Sequence, residues 1–198
     1  MHAPGQDLTI EFPDGPLTVR RRYTVRRADP EMGNVDIEVE MHEGAGPAAR
    51  WAAGAKVGTR LDAVGPRGKI TLRPGALSHL FVADDSAMPA AFAMIEALPR
   101  GARATAVLVT SHGAGSRPGP LAEADVPLHW AEDGQFLALI AGLGEEPHLA
   151  GYVLGERELV RDAVELLVSA GADRDAIAAK VYWRRDRPNE AHGEPSRA

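Results

Sequence analysis

The chain has 198 residues, of which 44% are hydrophobic and 25% are charged, and its net charge is -6. This length suits one domain or two small ones, and the negative charge argues against general nucleic-acid binding. The chain has no cysteine, which excludes disulfides, Cys-ligated zinc and thiolate-held iron–sulfur clusters. Any electron transfer therefore requires a non-covalent organic cofactor.

The first part of the chain is typical of antiparallel strands, because apolar and polar residues alternate and turn residues separate the runs. A short helix from Pro47 to about Ala55 follows a glycine-rich turn, with the proline suited to a first helical turn. The predicted strands are Leu8–Phe12, Leu17–Arg27, Asn34–His42 and Thr59–Val64.

The pattern changes near residue 75, after which strands and helices alternate, and this alternation predicts a parallel α/β layer. The predicted strands are 77–83, 105–110, 126–130 and 152–154, and the helices lie around 88–95, 135–143 and 156–170. We therefore expect an antiparallel β domain over residues 1–75 and an α/β domain over residues 76–187. The polar tail, 188–198, is expected to be disordered.

The strand that begins at Leu17 carries five arginines within eight residues, which repel one another and favour a nearby anion. On a strand, Arg21 shares a face with Tyr23, Val25 and Arg27. An arginine fork suits a pyrophosphate, and a tyrosine ring packs against a flat heterocycle. The alternative is a solvated edge strand that resists aggregation.

Four other segments are candidate sites, each with a structural alternative. The helix start Gly46–Trp51 suits a phosphate, or it is a packing helix. Residues 83–89 follow a parallel strand, where ligands gather, although Asp85 or Ser86 also suits a helix cap. Residues 152–156 are a second such strand end, where Glu156 is alternatively a first-turn acid that the helix dipole favours. His42 ends a strand, where a lone histidine is more often structural.

Taken in order, these segments resemble the siderophore-interacting proteins, a branch of the ferredoxin-reductase-like flavoenzymes, over roughly residues 8 to 187. The similar segments are Arg21–Arg26 (Arg-x-Tyr-Thr), Gly46–Ala52 (Gly-Pro-Ala-Ser-x-Trp-Ala), Gly65–Gly68, Ala83–Ala90 (Gly-Asp-Glu-Thr-Ala-Leu-Pro-Ala), Leu154–Glu156 (Ala-Gly-Glu) and Tyr182–Arg185. Members usually carry some tens of residues before the strand near Leu8, so a partial barrel is expected. Ala49 and Ala83 replace the serine and glycine of the family pattern.

The resemblance implies a partial FAD-binding β-barrel followed by an NAD(P)H-binding α/β domain, and reduction of ferric siderophores with release of Fe(II). It places Tyr23 on the isoalloxazine and Thr24 near its reactive nitrogen, as the catalytic residues. The implied cofactor contacts are Arg21, Tyr23, Thr24, Val25, His42, Ala48, Ala49, Arg50, Asp84, Asp85, Ser86, Gly155 and Glu156. Lys180, Arg184 and Arg185 are implied to attract an anionic ferric siderophore.

Three points stay open at this level. The protein is a ferric-siderophore reductase, a general NAD(P)H:flavin reductase that uses flavin as a substrate, or a degenerate flavin-fold protein that only binds. The sequence favours neither NADPH nor NADH, and a homo-oligomer is compatible with it. No metal-ligand spacing is present among the seven histidines. The chain has no secretory signal pattern and no apolar run of membrane-spanning length, so we expect a cytoplasmic protein.

Overall fold

The computed structural model describes residues 2–41, 46–113, 119–120, 126–141, 143–146 and 148–187. Ten strands and four α-helices follow one another along this part of the chain. They are β1 (Asp7–Asp14), β2 (Leu17–Thr24), β3 (Arg27–Asp29), β4 (Asn34–Asp36), α1 (Pro47–Gly54), β5 (Ala63–Arg67), β6 (Ser78–Asp84), α2 (Met88–Glu96), β7 (Arg103–Val109), β8 (Leu128–Ala131), α3 (Phe136–Ile140), β9 (Leu149–Glu156), α4 (Arg157–Ser169) and β10 (Ile177–Trp183).

The amino-terminal part is an antiparallel sheet of three strands in the order β2-β1-β5, with a separate β3–β4 ribbon. Strand β1 lies in the centre, and its alternation points Ile10 and Phe12 into a small core. The ring of Phe12 meets those of Tyr23 and Trp51 edge to face, each at 5.6 Å between centroids. Through Trp51, these aromatic contacts hold helix α1 against the face of the sheet that carries Phe12 and Tyr23.

The carboxyl-terminal part is a parallel sheet of five strands in the order β10-β9-β6-β7-β8. Every residue of the central strands β6 and β9 is buried. Helices cover both faces of such a sheet, so its central strands are apolar on both sides. One core lies on the face covered by α2, and the other on the face covered by α3 and α4.

The predicted fold class is confirmed, since an antiparallel part precedes a parallel α/β part. Several bounds differ from expectation. The strand predicted at Asn34–His42 ends at Asp36. A strand continues only where a neighbouring strand pairs with it, and β3 pairs with β4 through three residues. The strand predicted at Thr59–Val64 is instead β5, Ala63–Arg67, which takes in most of the Gly65–Gly68 segment and pairs with β1. The strand β10 was not predicted.

None of the helices in the described ranges combines the length and apolarity that a membrane crossing requires.

Candidate functional site

The carboxyl ends of β6, β9 and β10 meet around one buried carboxylate, that of Asp84. Its Oδ1 accepts hydrogen bonds from the backbone N–H of Ser86 (3.0 Å) and the hydroxyl of Ser86 (2.6 Å). Its Oδ2 accepts from the backbone N–H of Glu156 (2.7 Å) and the indole N–H of Trp183 (2.8 Å). Burial raises the pKa of Asp84, although all four hydrogen bonds favour the ionised form and lower it. Asp84 therefore ties three strand ends together at this edge.

The turn from β9 into α4 is shaped around the same carboxylate. Gly155 has a φ of 137°, and a Cβ at this position would lie 2.6 Å from the carboxyl carbon of Asp84. The side chain of Glu156 caps α4 by accepting from the N–H groups of Glu158 (2.6 Å) and Leu159 (3.3 Å). The structural alternative for Glu156, an acid at the helix start, is therefore the arrangement observed.

Asp85 lies half-buried beyond β6 and faces two residues from other segments. Its carboxylate, that of Glu40 and the imidazole of His112 bring one ligand-type atom each within 4.8 Å of one another. His112 Nε2 lies 3.7 Å from Glu40 Oε1. Glu40 comes from the amino-terminal part and His112 follows β7, so the two parts of the chain meet at this edge. The sequence patterns did not indicate this meeting.

Strand β2 supplies the predicted flavin-contacting residues. Burial raises the pKa of Tyr23, while the nearby Arg21 lowers it and the nearby Glu40 raises it. Tyr23 is half-buried, and both Thr24 and Val25 are buried. The guanidinium of Arg21 donates to the backbone oxygen of Arg20 at 2.8 Å. Arg21 and Tyr23, which the pattern placed on one face of β2, therefore lie near Glu40, and Glu40 lies at the sheet edge described above.

Four of the five clustered arginines have carboxylate partners within the chain, and one of them is Arg27, whose Nη2 lies 3.5 Å from Glu96 Oε1. Arg20 pairs with Glu11, and Arg22 forms a two-pronged pair with Asp7, both bonds being 2.8 Å long. Arg26 pairs with Glu96 and Glu38. The mutual repulsion that favoured an external anion is thus balanced largely by protein carboxylates. The case for a phosphate near Arg21 depends on its position beside Tyr23.

The start of helix α1 fits an anionic group. Gly46 caps it without a side-chain hydrogen bond, and its first turn holds no acid. The first N–H groups of a helix have no intrahelical acceptor, which leaves the amides of Ala48 and Ala49 for a phosphate oxygen. The side chain of Arg50 reaches Asp14 at 2.7 Å. The residues present therefore fit the diphosphate of a dinucleotide cofactor.

The predicted substrate-binding cations are all engaged with acids. Lys180 Nζ lies 2.9 Å from Asp7 Oδ2, Arg184 pairs with Asp186 at 2.8 Å, and Arg185 pairs with Asp133. Arg184 and Arg185 follow Trp183 directly and remain at the carboxyl edge of the sheet.

Tyr182 is a further residue of the candidate site. The sequence indicated it only as part of the Tyr182–Arg185 motif and predicted no role for it. Its hydroxyl oxygen is enclosed. Burial raises the pKa of Tyr182 to about 12, against a lowering interaction with the hydroxyl of Thr24, and the charges of Asp7 and Asp84 raise it further. Tyr182 therefore lies where Thr24 of the first part approaches the Asp84 edge of the second. His42 lies outside the described residues.

Two family models match the chain. One, the siderophore-interacting FAD-binding domain, matches residues 2–70, and the other, siderophore-interacting protein, matches residues 76–186.

The chain is also similar to individual curated proteins. An uncharacterized protein of Mycobacterium tuberculosis is 31% identical over 92% of this chain and 72% of its own length. Ferric vibriobactin reductase ViuB of Vibrio cholerae is 29% identical over 89% of this chain and 68% of the reductase.

Among solved structures, a siderophore utilization protein from T. fusca superposes with a TM-score of 0.81 at 27% identity, over 97% of this chain and 84% of that one. The ferredoxin reductase of carbazole 1,9a-dioxygenase shares the fold, with a TM-score of 0.67 at 23% identity over 93% of this chain and 56% of that one.

Proposed function

The chain belongs to the siderophore-interacting protein family, and from this premise we propose that it is an FAD-dependent oxidoreductase that uses NAD(P)H to reduce ferric siderophores. The observation that carries the proposal is the meeting of the two parts at the parallel sheet. Asp7, the register partner of Thr24, lies 2.9 Å from Lys180 Nζ, which itself lies 4.7 Å from the centre of the Tyr182 ring. A flavin held by β2 and a nicotinamide held at the carboxyl edge of the parallel sheet would then share one cleft, as hydride transfer requires.

In this proposal the amino-terminal part, residues 1–75, holds FAD. Arg21 and the amides of Ala48 and Ala49 hold the diphosphate, and Tyr23 packs on the ring system beside Thr24. Support comes from the free first turn of α1 and from the closeness of Arg21 to Tyr23. Bound FAD would supply the redox chemistry, accepting a hydride from NAD(P)H and passing single electrons to ferric iron.

Residues 76–187 form the proposed NAD(P)H-binding part. Asp85, Ser86 and the backbone at Gly155 face the nicotinamide in this proposal, whereas Asp84 and Glu156 shape the turns that present them. The glycine at position 155 keeps the backbone open, because a side chain there would meet Asp84. The phenol of Tyr182 stays protonated at neutral pH, with its pKa raised to about 12, so its enclosed hydroxyl remains a hydrogen-bond donor beside Thr24.

The ferric siderophore is proposed to approach near Arg184 and Arg185, which lie half-buried and exposed, respectively, after β10. An anionic chelate would compete with Asp186 and Asp133 for these guanidinium groups. The release of Fe(II) follows from the weaker hold of siderophore oxygen ligands on the reduced ion.

Two measurements test the proposal, the absorbance spectrum of the flavin and the capture of Fe(II) by a chelator. The purified chain should show flavin absorbance after incubation with FAD and gel filtration, and NADPH or NADH should bleach it under anaerobic conditions. Adding the ferric complex of 2,3-dihydroxybenzoate should restore the flavin absorbance and produce Fe(II), which ferrozine captures. A chain that retains no FAD and forms no ferrozine complex refutes the proposal.

A general NAD(P)H:flavin reductase is the second candidate, favoured by the open edge of the amino-terminal sheet. All five residues of its edge strand β5 are exposed, and an unenclosed site would let flavin dissociate as a product. Free FMN and riboflavin should then be reduced in many turnovers. Retention of stoichiometric FAD through gel filtration argues against this candidate.

A further inference from the structure

Two ion pairs, each with one buried member, join the amino-terminal part to the carboxyl-terminal part. Asp7 of β1 binds Lys180 of β10 at 2.9 Å, and the Asp7 side chain is only 3% exposed. Arg26, which follows β2, binds Glu96 at the end of α2 through two bonds of 2.8 and 2.6 Å. The Arg26 side chain is 4% exposed. Each pair therefore crosses between the parts with one buried member and one partly exposed member, Lys180 being 24% and Glu96 15% exposed.

The two pairs lie on either side of Thr24. Asp7 is the direct register partner of Thr24 in the β1–β2 ladder, and Arg26 follows Thr24 by two residues. Between them, the backbone N–H of Val25 donates to the oxygen of Gln6 at 2.9 Å. The segment that carries Thr24 is thus fixed to β10 through Asp7, which lies opposite Thr24, and to α2 through Arg26, which follows it.

Further contacts make each pair rigid. Arg22 donates two bonds to the same Asp7 carboxylate, and Lys180 Nζ lies 4.7 Å above the ring of Tyr182. The guanidinium of Arg26 lies 5.6 Å from the centroid of Phe92 and also binds Glu38 at 3.1 Å. Exposed ion pairs hold their partners loosely, whereas removing one member of a buried pair leaves an uncompensated charge.

We propose that the Asp7–Lys180 and Arg26–Glu96 pairs are positioning clamps that fix Thr24 against the carboxyl edge of the parallel sheet. The inference rests on the proposed function, because the distance between Thr24 and the sheet edge sets the distance for hydride transfer. It also gives Lys180 a role different from siderophore binding, since its ammonium group is bound to a buried carboxylate.

The experiment separates positioning from substrate contact by measuring the two half-reactions. In Lys180→Met and Glu96→Gln, flavin reduction at saturating NAD(P)H should slow by roughly ten- to a hundred-fold, as a displacement of about 1 Å produces. The KM for the ferric 2,3-dihydroxybenzoate complex should stay unchanged. Lys180→Arg keeps the cation and should recover most of the rate. Unchanged flavin reduction with a raised KM for the ferric complex would overturn the clamp and restore Lys180 to the substrate site.

Glu11→Gln is the matched control, because Glu11 also lies on β1 and pairs with an arginine of β2, but in an exposed pair within one sheet. It should alter neither half-reaction. Asp7→Asn and the Asp7→Asn/Lys180→Met double variant should slow flavin reduction by similar factors, because the second change removes a partner already lost. A double variant slowed by the product of the two single factors would refute a shared clamp.

Calorimetric unfolding tests the clamps without any cofactor. The wild-type chain should unfold in one transition, and Lys180→Met/Glu96→Gln should unfold in two, as the parts lose their connection. A double variant that unfolds in one transition at the wild-type temperature refutes the clamps. Failure of the wild-type chain to reduce bound flavin refutes the proposed function instead, and the calorimetric result then decides the clamps by itself.

Discussion

Replacing Asp84 with asparagine tests the organisation of the sheet edge. The change keeps the shape of the side chain but replaces one carboxylate oxygen with an NH2 group, which donates and does not accept. If the nitrogen takes the place of Oδ2, the N–H groups of Glu156 and Trp183 both lose their acceptor. If it takes the place of Oδ1, the hydroxyl of Ser86 can turn and accept, so only the backbone N–H of Ser86 is left without one.

The second orientation is cheaper, since it leaves one partly buried donor unsatisfied, at about 1–3 kcal/mol. Loss of the buried charge recovers part of this, because burial raises the pKa of Asp84 and so disfavours the ionised carboxylate. We therefore expect Asp84→Asn to lower the free energy of unfolding by about 1–3 kcal/mol. For a chain of 198 residues, each kcal/mol corresponds to about 2–4 °C, so Tm should fall by about 2–12 °C.

Thermal unfolding followed by circular dichroism measures the effect, with Asp186→Asn as the control. Asp186 also lies at this edge but is exposed and pairs with Arg184 in solvent, so its replacement should leave Tm unchanged. Asp84→Ala removes all four hydrogen bonds and should lower Tm more than Asp84→Asn does. An Asp84→Asn protein that melts with the wild type would refute the reasoning, because the carboxylate would then not hold the strand ends.

Three further predictions concern other positions. Arg21→Ala should weaken FAD binding by about 1.5–3 kcal/mol, the loss of a charge-assisted bond, in a fluorescence titration in which Arg20→Ala has little effect. Gly155→Ala should raise the KM for NAD(P)H at least about tenfold, roughly 1.4 kcal/mol, because its Cβ would lie 2.6 Å from the Asp84 carboxyl carbon. An unchanged KM would contradict the tight turn. Burial lowers the pKa of His79 below 6.5, because it disfavours the charged imidazole. The neutral His79 therefore contributes its full stability above pH 6.5. This contribution is lost as the pH falls through 6.5 towards the folded-state pKa, by at most about 1.4 kcal/mol per pH unit. Urea unfolding at pH 7.5 and 5 should show that His79→Phe removes this loss, and an equal loss in both proteins would exclude His79 as its source.

The family and the order of its motifs were accessible from the sequence because they depend on local chemistry. A glycine turn before Pro47 and an apolar run before Asp84 each indicate their element without knowledge of the remainder. The resemblance to siderophore-interacting proteins is confirmed, as is the succession of an antiparallel and a parallel part. The roles predicted for individual site residues stay predictions.

Strand β10 shows where sequence patterns fail. Its sequence, Ile177–Trp183, is apolar except for Lys180, so no alternation marks it, and the lysine interrupts the apolar run. It is a strand because the edge of β9 offers parallel pairing, and a partner strand is not visible in a local window. The same element carries Lys180 and Trp183, whose contacts with Asp7 and Asp84 join distant segments.

The sequence by itself determined the elements that carry the site, the two-part order and the residue types suited to phosphate and flavin, since each follows from neighbouring residues. Only the tertiary structure decided which charges meet. Arg22 is bound to the buried carboxylate of Asp7, and the buried Arg26 is bound to Glu96. Lys180 is bound to Asp7 across 173 residues. A charge pattern gives the sign of a residue's partner, whereas burial and the packing of distant strands select the partner itself.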